Sequence, residues 1–115
     1  MVEGRQRKIR YYRTRSGRSP FLEWLGRLGN AGALARIRSG VERLANGNLG
    51  DSKSLGWGLH EYRIHSGPGF RIYYANAGEV VLLLLCGGKK RGQTRDIEKA
   101  LGYWQDYLER KNENG

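Results

Sequence analysis

A lone cysteine, Cys86, leaves this chain of 115 residues without any internal disulfide. With no disulfide framework, a reduced, cytoplasmic setting is expected. Long apolar runs are missing too. Residues 80–85 are wholly apolar, but a bilayer span needs ~20 such residues, so no membrane segment is expected. The basic start of the chain is not followed by an apolar stretch, which argues against a secretory signal. Carboxylates are scarce and scattered, and with one cysteine they offer no metal-ligand spacing, so no metal and no cofactor is expected. No GxxxxGK[ST] phosphate loop occurs, although residues 46–58 are glycine-rich. That stretch reads as a loop. The deficit of acid leaves 21 Lys and Arg against 11 Asp and Glu, a net charge of +10. Such a balance points to a polyanionic partner, most often nucleic acid.

The chain is organised around residues 59–90, which read as three consecutive strands, about 59–66, 70–75 and 79–86. Gly67-Pro68-Gly69 joins the first two, since proline presets φ and glycine accepts positive φ. Asn76 and Gly78 favour a short hairpin loop before the third. The apolar residues 80–85 predict a central strand covered on both faces. The other two strands alternate with the two-residue period of a pleat. Tyr62 and Ile64 share one face, and Glu61, Arg63 and His65 the other; Phe70, Ile72 and Tyr74 oppose Arg71 and Tyr73. The second face collects cations and rings, and the function is expected there.

Residues 8–14 (KIRYYRT) read as a further strand. Ser19-Pro20 starts a helix, with Ser as N-cap and Pro at the first turn. Phe21, Trp24, Leu25 and Leu28 supply its apolar stripe. A second helix spans 31–45, where Leu34, Ile37, Val41 and Leu44 fall on one face. Gly87-Gly88 is read as the end of the apolar strand, and Lys89, Lys90 and Arg91 follow it. A last helix is predicted over 94–110, with Ile97, Ala100, Leu101, Trp104 and Leu108 as its buried stripe. The fold class is therefore α+β in a single domain over residues 1–115. Its order is strand, helix, helix, three-stranded antiparallel meander, helix, with the sheet covered on one face by helices.

The strings GLHEYRIHSGPGFRIYY, LLLLCGGKK and QTRDIEKA, in that order, resemble the RelE/HigB-type toxins of type II toxin–antitoxin modules, in particular the addiction-module killer-protein branch. The resemblance implies a RelE-like domain that cuts mRNA on the ribosome. It also implies a cognate antitoxin, often of helix-turn-helix type, that neutralises the toxin and alone contacts operator DNA. Residue by residue, Arg71 matches the family arginine at the scissile phosphate. Arg63 and His65 stand where the ribonuclease branch has two cations. Lys90, or Lys89 by a one-residue slip, matches a further cation. The family tyrosine beyond it falls near Asp96, so Tyr73, Tyr103 and Tyr107 are the substitutes to consider.

These residue types suit cleavage of RNA by its own 2′-hydroxyl. The arginine fork of Arg71 and Arg63 binds two phosphate oxygens at once. His65 titrates near neutrality and can act as general base. Lys90 or Lys89 can stabilise charge or protonate the leaving oxygen. Tyr73 can stack on a base, and Lys53 and Arg91 can reach the substrate backbone. His60 falls on the opposite face and is expected to be structural. Two rival readings stand beside this one: a ParE-type gyrase inhibitor without nuclease activity, and a non-catalytic RNA-binding domain.

Overall fold

The computed structural model describes residues 6–65 and 67–114. The elements, in chain order, are β1 (Lys8–Tyr11), α1 (Pro20–Arg27), α2 (Ala31–Ala45), β2 (Ser52–Gly56), β3 (Leu59–Ile64), β4 (Phe70–Asn76), β5 (Val81–Lys89) and α3 (Gln93–Asn114). The strands form one mixed sheet in the order β1-β5-β4-β3-β2. β1 runs parallel to β5, and the remaining pairs are antiparallel. The described residues thus form an α+β domain with three helices and a five-stranded sheet.

Local chemistry sets the helix starts. Ser19 Oγ accepts from Leu22 N at 3.3 Å, and Asn30 Oδ1 accepts from Ala33 N at 3.0 Å. Each satisfies one of the orphan amides of a first helical turn. The pleat then sorts the sheet into two faces. Tyr62, Ile64, Phe70, Ile72, Tyr74, Leu82 and Leu84 pack with Phe21 of α1 and Ala33, Ile37 and Leu44 of α2. Leu59, Tyr73, Ala75, Leu83, Leu85 and Cys86 pack with Tyr12 and with Ala100 and Trp104 of α3.

Helices therefore cover both faces, not one as the sequence suggested. The fully apolar run of β5 required this, because Leu82 and Leu84 leave by one face and Leu83 and Leu85 by the other. The glycine-rich stretch before β3 also differs from its expected loop. It contains β2, which pairs with β3 from Ser52↔Tyr62 to Gly56↔Leu59. Leu55 is its one large apolar residue and most of the strand is exposed, as an edge strand allows, so no alternation marked it. Gly87-Gly88 does not end the third strand, which runs on to Lys89. A Cβ at Gly87 would lie 2.2 Å from the Trp24 ring, and one at Gly88 would lie 2.0 Å from Asp96 Oδ2. The two glycines permit close packing on opposite faces. Leu108, expected to be buried on α3, is exposed. Ser66, placed at the end of the first meander strand by the sequence, lies outside the described residues.

Candidate functional site

The site forms where β3 and β4 meet their connecting turn. Antiparallel register places Arg63 opposite Arg71 and Ile64 opposite Phe70. Two like charges side by side on one face repel. Glu61, two residues earlier on the same face, resolves the conflict. Its side chain is fully buried. Oε2 accepts from Arg71 Nη1 at 2.8 Å and from Gln93 Nε2 at 2.7 Å, and Oε1 lies 3.4 Å from Arg63 Nε. A buried carboxylate persists only when charged donors surround it in this way. Glu61 therefore clamps both arginines and ties the first turn of α3 to the sheet. Arg71 is nearly buried, whereas Arg63 is about a quarter exposed, at 28 % of its side chain.

His65 follows β3 and is exposed. Its Nε2 forms a short hydrogen bond with Asp51 Oδ2. Asp51 also lies 3.8 Å from Arg63 Nη1, and its carbonyl accepts from Arg63 N at 3.0 Å. The His65 hydrogen bond holds the Asp51 carboxyl below its usual range, helped by the Arg63 charge and opposed by partial desolvation. The arrangement is a carboxylate–imidazole pair beside two arginines. Sequence reasoning had no access to Asp51, which sits 14 residues from His65 in a segment read as loop.

A groove of about 350 Å³ opens here, lined by Arg63, Ile64, His65, Gly67, Pro68, Gly69, Phe70, Arg71 and Lys90. Gly69 adopts φ +79°, a left-handed conformation open to glycine at little cost, and its carbonyl accepts from Lys90 N at 3.1 Å. This bond brings the lysine to the groove. Its neighbour Lys89 pairs with Phe70 across β4–β5 and lines a separate cavity with Trp24, Asp96 and Lys99. The fold thus separates the two lysines that spacing alone left equivalent.

The remaining expected site residues are dispersed. Arg91 lines a neighbouring surface with Lys90, Gln93 and Arg95 at the start of α3. Lys53 lies on β2, opposite Glu61 in register, and is exposed outside the groove. Tyr73 is a correction. Its ring is completely buried against α3, so it presents no face to a base. Its hydroxyl is buried with no hydrogen-bond partner among the described residues, and burial, with the Glu61 charge, pushes its pKa up. Tyr103 stacks on Tyr12 and Tyr107 on Trp104, so neither substitutes for a groove tyrosine. Asp96, at the family tyrosine position, packs over Gly88, and burial raises its carboxyl pKa. His60 stacks on Tyr74 on the opposite face, as alternation required, and burial pushes its pKa down.

Chemically, the groove offers three basic side chains, Arg63, Arg71 and Lys90, with Glu61 and Asp51 behind them. It can bind an anion of phosphate type. His65 stands beside it with its imidazole hydrogen-bonded to Asp51. Among the described residues, no cluster of three or more His, Cys, Asp or Glu could hold a metal ion. Among them, too, no helix is long and apolar enough to cross a membrane.

No family model matches the chain. It is 45% identical over 80 residues to an uncharacterized protein of Haemophilus influenzae, an alignment that covers 70% of this chain and 81% of that protein. At that identity and coverage, the chain belongs to the same family as the Haemophilus influenzae protein.

Proposed function

We propose that the protein is the toxin of a type II toxin–antitoxin module, with a RelE-like fold. In this reading it is a ribosome-dependent mRNA endoribonuclease of the cytoplasm, neutralised by a cognate antitoxin. The observation that carries the proposal is the convergence of Arg63, Arg71, Lys90 and the His65–Asp51 pair on one groove. The sequence resemblance gives that convergence its direction.

In the proposed reaction, Arg63, Arg71 and Lys90 hold the scissile phosphate. His65 takes the proton of the adjacent 2′-hydroxyl, with Asp51 orienting the ring and stabilising the imidazolium. The 2′-oxygen attacks phosphorus and the P–O5′ bond breaks. A 2′,3′-cyclic phosphate results, and the 5′-oxygen takes a proton from the Lys90 ammonium. Both reacting oxygens belong to RNA, so the ribosome's contribution is alignment, which can supply up to about 7–11 kcal/mol of barrier reduction.

The test is to map the ends produced from programmed ribosomes and from free mRNA. A 2′,3′-cyclic phosphate or its 3′-phosphate hydrolysis product is expected, as is resistance of RNA with a 2′-deoxy nucleotide at the cut. His65→Asn should slow cleavage by about 10²–10⁴-fold, the usual range for loss of a general base. Lys90→Ala should also impair it. Both changes leave the buried Glu61–Arg71 pair intact, whereas Arg71→Ala would take from the buried Glu61 its closest cation. A 3′-hydroxyl product excludes the mechanism. Absence of cleavage together with gyrase-dependent DNA breaks would move the protein to the inhibitor class. Co-expression with the product of an adjacent small gene should restore growth.

A further inference from the structure

A second basic groove joins the first. It has a volume of about 360 Å³, and Arg36, Ser39 and Arg43 of α2 line it together with Arg63, Ile64 and His65. Arg63, Ile64 and His65 line both cavities, so the two run together around the end of β3. The apolar spacing of α2 explains its inward face but not these arginines. Ile37 and Leu44 point to the core, and Arg36 and Arg43 lie off that stripe, seven residues apart.

Structural roles leave these cations without a carboxylate partner among the described residues. Arg43 Nε donates to Tyr62 Oη at 2.9 Å, and Nη1 to Ser39 Oγ at 3.3 Å. Both acceptors are neutral. Arg43 also sits in the last turn of α2, where a cation suits the helix dipole. Arg36 has no such excuse. It lies mid-helix, its Nε is buried without a hydrogen-bond partner among the described residues, and its Nη2 approaches the Gly67 turn that borders the first groove. Among the described residues, neither Arg36 nor Arg43 has an ion-pair partner, whereas Arg63, which both grooves share, and Arg71 are paired with Asp51 and Glu61.

We infer that the Arg36–Ser39–Arg43 groove is a second phosphate subsite, which holds the backbone of single-stranded RNA next to the phosphate in the Arg63–Arg71–Lys90 groove. This rests on the ribonuclease reading and extends it: the substrate is held over more than one nucleotide step, with Arg63 and His65 between the steps. The arginine forks and the Ser39 hydroxyl are donors matched to phosphate oxygens and carry no base preference.

The test is equilibrium binding of a labelled, fully 2′-O-methyl oligoribonucleotide to the folded protein over a range of salt. Cleavage on programmed ribosomes is measured in parallel. Arg36→Ala removes one donor. Ser39→Glu leaves both arginines in place and puts an anion between them, at an exposed position. Thermal unfolding confirms that each variant is folded. Each should bind about tenfold more weakly, the scale of one charge-assisted hydrogen bond. For Arg36→Ala, the slope of log affinity against log salt should shrink by about 0.7, the single-strand value for one phosphate contact. A purely structural role for Arg36 would not move that slope. Wild-type affinity and slope in both folded variants would overturn the subsite. So would a failure of the wild-type protein to bind the oligonucleotide at low salt. In either case persistent ribosomal cleavage leaves the ribonuclease reading standing, whereas loss of cleavage by the wild-type protein is what defeats that reading.

Discussion

The two faces of the sheet are built on different principles. The face under α1 and α2 is apolar apart from His60, which stacks on Tyr74, and the tyrosine hydroxyls that reach it are satisfied: Tyr62 by Arg43 and Tyr74 by Ser52. The face under α3 is apolar only where it meets Ala100 and Trp104. Towards the β3–β4 turn it changes to Glu61, Arg63 and Arg71, with the buried Tyr73 hydroxyl, unpartnered among the described residues, and the partly buried Asp96 beside them. One face serves stability. The other gives up part of that stability to hold charge in a fixed place, since desolvating ions costs more than burying carbon.

Removing one member of the buried cluster should break this contrast most severely. Glu61→Ala leaves the Arg71 guanidinium buried without its carboxylate, and loss of one partner of a buried ion pair typically destabilises by about 3–5 kcal/mol. Replacing both members is expected to behave differently. Glu61→Leu with Arg71→Met should be neutral or stabilising by up to about 1–4 kcal/mol, because the desolvation cost disappears along with the attraction. The doubly substituted protein should also lose activity. Denaturant midpoints of the single and double variants give the comparison directly. A double variant as unstable as Glu61→Ala would mean that the pair supports the fold.

Adjacent glycines probe the two faces at closer range. Gly87→Ala drives a methyl into the Trp24 ring on the α1 side, an overpacking that typically costs about 1–3 kcal/mol. Gly88→Ala meets the far end of the Asp96 side chain, which can swing away. The first should lower the melting temperature more than the second. Equal shifts would show that Asp96 is held as firmly as the tryptophan.

A smaller effect concerns pH. Burial raises the Asp96 carboxyl pKa above its ordinary value. A raised carboxyl favours the folded state below the ordinary carboxylate pKa, and that contribution is lost as pH rises through the folded value. Asp96→Asn removes the ionisation, so it should stabilise the protein at neutral pH and lose that advantage in acid. Melting curves at several pH values will test it, and a gain of equal size at all pH values would exclude a titration origin.

Much of this architecture was legible from local pattern. The Ser19 cap, the span of α2, the meander and the face assignment of Arg63, His65, Arg71 and His60 follow from neighbours within a few residues. A period of two or a cap needs nothing further away. β2 was not legible, because a polar edge strand is defined by its partner β3 and not by its own composition. Gly87-Gly88 looked like a break because the Trp24 and Asp96 side chains that require the missing Cβ atoms arrive from distant segments.

For the site, the sequence by itself determined which residue types were present, and on which side of each strand they fell. Tertiary structure decided which of them meet. It buried Tyr73, divided Lys89 from Lys90 by one step of the pleat, brought Asp51 to His65 and set Glu61 between two arginines. Those relations depend on strand register and helix docking between segments 10 to 32 residues apart. No local spacing encodes them, because they come from packing the whole chain at once.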